Sequence, residues 1–196
     1  MGSDHSGASP GADTDRLLRR LDRAVRSGEL IRVGRSIRGA DRIDGFAVAA
    51  SPGWTVLAVC TDVQLDGWSA VRTADITEVR RRGDDTCLTI RALRRRGQWP
   101  VRPPLPAVPP DDLPGLLQAA GRGFGLIAVG RERQQPDACW IGAVAELRPK
   151  SLRLHEVDPD ARWHPDVSGF RFKDITRIDF GGRYEQTLQE FAGPRR

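Results

Sequence analysis

Two stretches of this chain, VRTADITEV at 71–79 and FRFKDITRI at 170–178, share an Arg and an Asp-Ile-Thr run at the same spacing. Arg72 matches Arg171, and Asp75-Ile76-Thr77 matches Asp174-Ile175-Thr176. The two aspartates lie 99 positions apart, and Gly45 of IDGFAVAA lies 97 positions from Gly142 of CWIGAVAEL. A constant offset with a constant order of elements is what an internal duplication predicts. Between the copies stands WPVRPPLPAVPPDDLP, in which seven of 16 residues are proline. Proline fixes φ and removes a backbone donor, so this stretch reads as a stiff, extended connector. The expected organisation is a disordered tail at 1–12, a first repeat at 13–98, a linker at 99–110 and a second repeat at 111–193.

Each repeat reads as helix, five short strands, helix. In DTDRLLRRLDRAVRSGEL, Leu17, Leu21 and Val25 recur every four residues, and Gly28 is placed to end an amphipathic helix. LIRVGRSIR, IDGFAVAAS, WTVLAVCTD, GWSAVRT and DITEV then read as strands separated by turn residues. DDTCLTIRALRRRG spaces Cys87, Ile90 and Leu93 by three, as a helix would. The second repeat begins at DDLPGLLQAAG and continues through FGLIAVGRE, ACWIGAVAEL, SLRLHEVD, SGFRFK and ITRIDF. It closes on GRYEQTLQEFAG, which puts Tyr184, Leu188 and Phe191 on one helical face. A lone repeat of under 100 residues is marginal on size, so the two are expected to pack together.

These strand sets resemble the Sm-like family, a small bent five-stranded barrel related in shape to SH3 barrels. Val71-Arg72 and Phe170-Arg171 match the start of the family's second motif, and Ile76 and Ile175 match its apolar continuation. Thr73 and Phe172 stand where the family has glycine, and the Asp and Asn of its RNA-base pocket are absent. The second repeat also resembles short uncharacterised bacterial proteins ending in a DITRI…Y…L stretch. The resemblance implies a mainly β fold of two tandem Sm-like or SH3-like barrels, at about residues 30–97 and 124–192, each flanked by short helices. It marks Arg72 and Arg171 as the family-motif arginines. The residues themselves favour a structural corner over a binding pocket, because Asp75 and Asp174 suit Asx-turns to the amides two or three residues on.

No nucleophile or metal motif is present: G-x-S-x-G, CxxC and HExxH are all missing. His155 and His164 bracket acidic EVDPDARW, but its Pro, Asp and Gly content reads as a hairpin loop, and GRGFG at 121–125 lacks the strand-to-helix setting of a phosphate loop. No catalytic residue, metal or cofactor is expected. Cys60, Cys87 and Cys139 sit in apolar segments as buried free thiols, which suits a reducing compartment and makes the cytoplasm the expected location. No run of 18 apolar residues exists, so no membrane span is expected, and the first residues lack the basic-then-apolar order of a secretory signal.

The net charge of +5 is unevenly spread, with 17 Arg against 13 Asp or Glu in residues 1–100. Arg80, Arg81, Arg82, Arg91, Arg94, Arg95 and Arg96 form the densest cluster, and Arg91, Arg94 and Arg95 share a helical face able to track phosphates. No aromatic residues are interleaved to stack bases. Among the five tryptophans, Trp54 and Trp140 read as core, Trp99 as a pin for the linker, and Trp163 as the most exposed and a candidate partner anchor. The function that follows is a non-catalytic macromolecular interaction module whose partner is another protein. The alternative is a nucleic-acid binder, RNA above all, using the arginine-rich face of the first repeat.

Overall fold

The computed structural model describes residues 10–194; the remainder of the predicted N-terminal tail and His5 lie outside the described residues. Helix α1 (Pro10–Ser27) turns Leu21 and Ala24 inward and ends at Gly28, whose positive φ of 60° carries its amide back to the Ala24 carbonyl. Strands β1 (Leu30–Arg35), β2 (Ile43–Ala50), β3 (Trp54–Thr61) and β4 (Gln64–Arg72) follow, then a single 3₁₀ turn at Thr73–Asp75 and β5 (Ile76–Arg81). Helix α2 (Leu88–Arg95) completes the first half. The second half repeats the order: α3 (Leu113–Phe124), β6 (Leu126–Gly130), β7 (Cys139–Arg148), β8 (Ser151–Val157), β9 (Trp163–Arg171), a 3₁₀ turn at Phe172–Asp174, β10 (Arg177–Phe180) and α4 (Arg183–Ala192).

The ten strands form one sheet in the order β5-β1-β2-β3-β4-β10-β6-β7-β8-β9, antiparallel at every step. This corrects the expectation of two tandem Sm-like or SH3-like barrels. The repeated element order exists, but the repeats are not separate closed units. The strands β4 and β10, each last in its half's spatial order, pair with one another from Trp68 opposite Phe180 to Val71 opposite Arg177. Each would otherwise leave a row of unpaired backbone groups, and joining them satisfies both rows at once.

The core confirms that the halves are one body. Its largest cluster takes Trp54, Val56 and Ala70 from the first half, and Ile127, Val129, Phe170 and Ile178 from the second, beneath Leu116 and Leu117 of α3. Trp68 stacks on Phe180, centroids 6.0 Å apart and 15° from parallel, and Phe124 of α3 packs against both. The proline-rich segment is packed down as well. Val108 is buried, and the Ser51 hydroxyl donates to the Pro110 carbonyl at 2.6 Å. Trp99 lies edge-on to Phe46 at 5.6 Å, the pinning role its sequence position suggests.

Side-chain alternation places the outer helices of the first half. Ile31, Val33 and Leu57 pack with Leu21 and Ala24 of α1, whereas Leu30, Phe46 and Ala58 pack with Ile90 and Leu93 of α2. Neighbouring residues of one strand point to opposite faces, so α1 and α2 cover opposite faces of the sheet next to its terminal strand β5. The free thiols are less enclosed than expected: Cys60 and Cys87 are half-buried and Cys139 is exposed.

Candidate interface at the basic end of the sheet

The Leu17, Leu21 and Val25 spacing that anchors α1 fixes where its arginines go. With those residues on the sheet, Arg16, Arg19, Arg20 and Arg23 line a groove of about 750 Å³ between α1 and β5. Leu17, Ile76 and Val79 supply its apolar surface. Arg20 is engaged by Glu29 at 3.8 Å, and the same carboxylate reaches Arg81 at 3.8 Å, tying helix to strand. Arg16, Arg19 and Arg23 make no ion pair with any described residue. Asp13 is the acidic residue in the lining.

The floor of this groove is an open strand edge. β5 pairs with β1 on one side and, among the described residues, with no strand on the other. The Arg82 amide donates to the Leu30 carbonyl at 2.8 Å, which makes that position a hydrogen-bonded pair. Hydrogen-bonded pairs alternate along an antiparallel ladder, so Arg80 opposite Arg32 bonds inward. Val79 and Arg81 therefore turn their N–H and C=O groups outward, away from β1. A bulge at Gly34/Arg35 precedes this regular stretch.

Of the arginine cluster singled out from sequence, Arg80 and Arg81 lie on β5 with Arg82 just after it, while Arg91, Arg94, Arg95 and Arg96 belong to α2 and its end on the opposite face; most of the cluster is already engaged. Arg80 pairs with Glu78, Arg81 with Asp85 at 3.4 Å, and Arg82 with Asp44 at 3.7 Å. Arg94 donates to the Asp85 carbonyl at 3.1 Å and lies over the Trp99 ring at 5.7 Å, and Arg96 donates to the Val63 carbonyl at 2.6 Å. Arg91 and Arg95 project from α2 into solvent. Sequence reasoning missed the α1 arginines because that helix was read for its apolar face alone. Their i, i+3, i+4, i+7 spacing opposite Leu17 and Leu21 was the available signal.

Arg72 and Arg171, the repeated arginines of the two halves, sit at matching corners and do different work. Arg72 reaches into the second half, donating to the Ile175 carbonyl at 2.6 Å and to the Phe172 carbonyl, with its guanidinium over Trp54 at 5.3 Å. Arg171 donates to Asp174 of its own turn at 2.7 Å. The aspartates do not form the expected Asx-turns: Asp75 accepts from Arg133 of the second half, and Asp174 from Arg171 and Gln134. Both still end equivalent 3₁₀ turns.

Trp163 is half-buried, not exposed. Its indole N–H donates to the Gly193 carbonyl at 3.3 Å, and its ring meets His155 edge-on at 5.4 Å. His155 and His164 lie on paired strands β8 and β9, with His155 Nε2–H donating to the His164 carbonyl at 2.5 Å. No group of three or more His, Cys, Asp or Glu side chains able to hold a metal exists among the described residues. Among the described residues, no helix is long and apolar enough to cross a membrane. No protein-family model, curated protein or solved structure matches this chain.

Proposed function

We propose that this protein is a non-catalytic interaction module that docks an acidic macromolecular partner at the β5 end of its sheet. The observation that carries the reading is the groove between α1 and β5, where Arg16, Arg19 and Arg23 make no ion pair among the described residues and the strand edge is unfilled by any described strand. Three uncompensated cations around a shared cleft favour an anionic ligand and speed its capture. A protein partner fits better than RNA, because the groove lining has no aromatic side chain on which a base could stack, whereas a peptide can use the open backbone. The three free cysteines support a reducing compartment, with the cytoplasm as the working location.

Titration with poly-L-glutamate and with single-stranded RNA, each at two salt concentrations, tests the reading. The expected result is saturable binding of polyglutamate that weakens as salt rises, and that falls about tenfold or more in the triple variant Arg16→Gln/Arg19→Gln/Arg23→Gln. Tight RNA binding lost with Arg91→Ala/Arg95→Ala but not with the α1 triple would replace this reading with the nucleic-acid one. A chain that binds neither polymer at low salt is not a polyanion-docking module.

A further inference from the structure

The two ends of the sheet are built differently, and the difference bears on how a partner docks. β9, the last strand at the far end, carries Pro165 and next to it the exposed Asp166. A proline without an amide donor and a charge beside it are common means of blunting a free edge. β5 has no proline, although it carries charges of its own at Glu78, Arg80 and Arg81. Its outward amides and carbonyls are those of Val79, which lines a groove walled on one side by cationic side chains, and of Arg81 two residues further along the strand. The β9 edge lacks an amide donor at Pro165, whereas every residue of β5 keeps its own.

We infer that β5 accepts an extended acidic segment of a partner protein as an eleventh strand, held by backbone hydrogen bonds to Val79 and Arg81 and by the α1 arginines. This rests on the acidic-partner reading above and specifies its mode. The dimensions agree. Six residues of β5 give an edge of roughly 20 Å at about 3.3 Å per residue. Along α1, arginines three or four residues apart advance about 4.5–6 Å. An added strand presents same-face side chains about 6.7 Å apart, close enough for carboxylates at alternate positions to meet Arg16, Arg19 and Arg23 in turn. Val79 pairs in register with Val33, which packs toward α1. The α1-facing positions of an incoming strand are therefore the ones that meet the arginines. A nucleic acid offers the charges but not the alternating amides and carbonyls that this edge requires. A second copy of this chain offers β9, whose proline and single acidic residue supply little of either.

The probe is a nine-residue peptide of alternating Glu and Val, capped at both ends and titrated into the full chain. Two further versions carry N-methyl groups on alternate amides, one along each edge of the extended peptide. Binding of the parent should protect the Val79 and Arg81 amides from hydrogen exchange. One methylated version should bind about tenfold or more weakly and the other nearly as well as the parent. The Arg16→Gln/Arg19→Gln/Arg23→Gln variant should lose binding of all three. If both methylated peptides bind like the parent, strand addition is wrong while acidic docking stands. If no peptide binds and polyglutamate also fails, the underlying reading falls with it. A dimer that must dissociate before the peptide binds would assign β5 to a second copy instead.

Discussion

Arg35 and Glu132, 97 positions apart, form a bidentate ion pair in the interior, with Nη1 to Oε2 at 2.5 Å and Nη2 to Oε1 at 2.7 Å. Their side chains are 0% and 8% exposed. The Thr176 hydroxyl donates to Oε2 of the same carboxylate at 2.8 Å and accepts from the Glu132 amide at 3.0 Å. The pair therefore couples the end of β1 to the loop after β6 and the approach to β10. Together with Arg72 on the 172–175 carbonyls and Arg133 on Asp75, it bolts the two halves at their corners.

Removing one partner should be far more costly than removing both. Arg35→Met alone leaves a buried carboxylate uncompensated, and should lower stability by about 3–5 kcal/mol. Arg35→Met/Glu132→Leu exchanges the pair for apolar volume and should recover most of that loss. Urea unfolding of the two single variants and the double variant measures the coupling. Additive losses would show that the pair does not hold the halves together.

Acid should loosen this joint. Burial pushes the Glu132 carboxyl upward, but hydrogen bonding and charge from Arg35, with the Thr176 hydroxyl, outweigh it and hold the pKa below the ordinary glutamate value. A carboxylate depressed on folding contributes stability that is fully present above its unfolded value of about 4.3. That contribution is lost as pH falls through the lower folded value. Melting temperature should thus drop below about pH 4, and Glu132→Gln should show a shallower drop over the same range from a lower starting point.

Gly45 and Gly142 should each resist substitution. A Cβ on Gly45 would stand 2.2 Å from the Ala58 carbonyl oxygen, and one on Gly142 would stand 2.1 Å from that of His155. Both obstacles are backbone of the neighbouring strand and cannot rotate away. Alanine at either position should cost about 1–3 kcal/mol by forcing the strands apart. The control is Gly169→Ala, whose nearest neighbour is the far end of Arg153 at 3.7 Å; thermal melts should separate it clearly from the other two.

The matching arginines should differ in worth. Arg72 is half-buried and donates to two backbone carbonyls across the joint, so Arg72→Ala should cost about 1.5–3 kcal/mol. Arg171 has a side chain 68% exposed and serves its own turn, and Arg171→Ala should cost about 0.2–1 kcal/mol. Equal losses in denaturant unfolding would mean that the two corners are energetically alike despite their different partners.

What the sequence determined by itself was local. Alternation and turn residues were enough for the strands, because a strand's inward residues are set by its own period of two. Leu17, Leu21 and Val25 located α1 in the same way, and the paired DIT stretches located two equivalent corners, which are 3₁₀ turns and not the Asx-turns expected of them. The shared glycines at 45 and 142 were visible, although only the neighbouring carbonyls explain them. What tertiary structure decided was how the halves close. Nothing in GWSAVRT or ITRIDF distinguishes a strand that completes its own barrel from one that pairs with the other half, since both patterns ask only for a buried face and a hydrogen-bonding neighbour. The choice depends on which backbone edges remain unsatisfied and on Trp68 meeting Phe124 and Phe180 across the joint, a relation between residues 56 and 112 positions apart. The candidate site divides likewise. Its charges are written in the arginines of residues 16–23 and 80–96; Glu78 and Asp85 engage Arg80 and Arg81 from close by in sequence, whereas the folded chain brought Glu29 to Arg20 and Asp44 to Arg82.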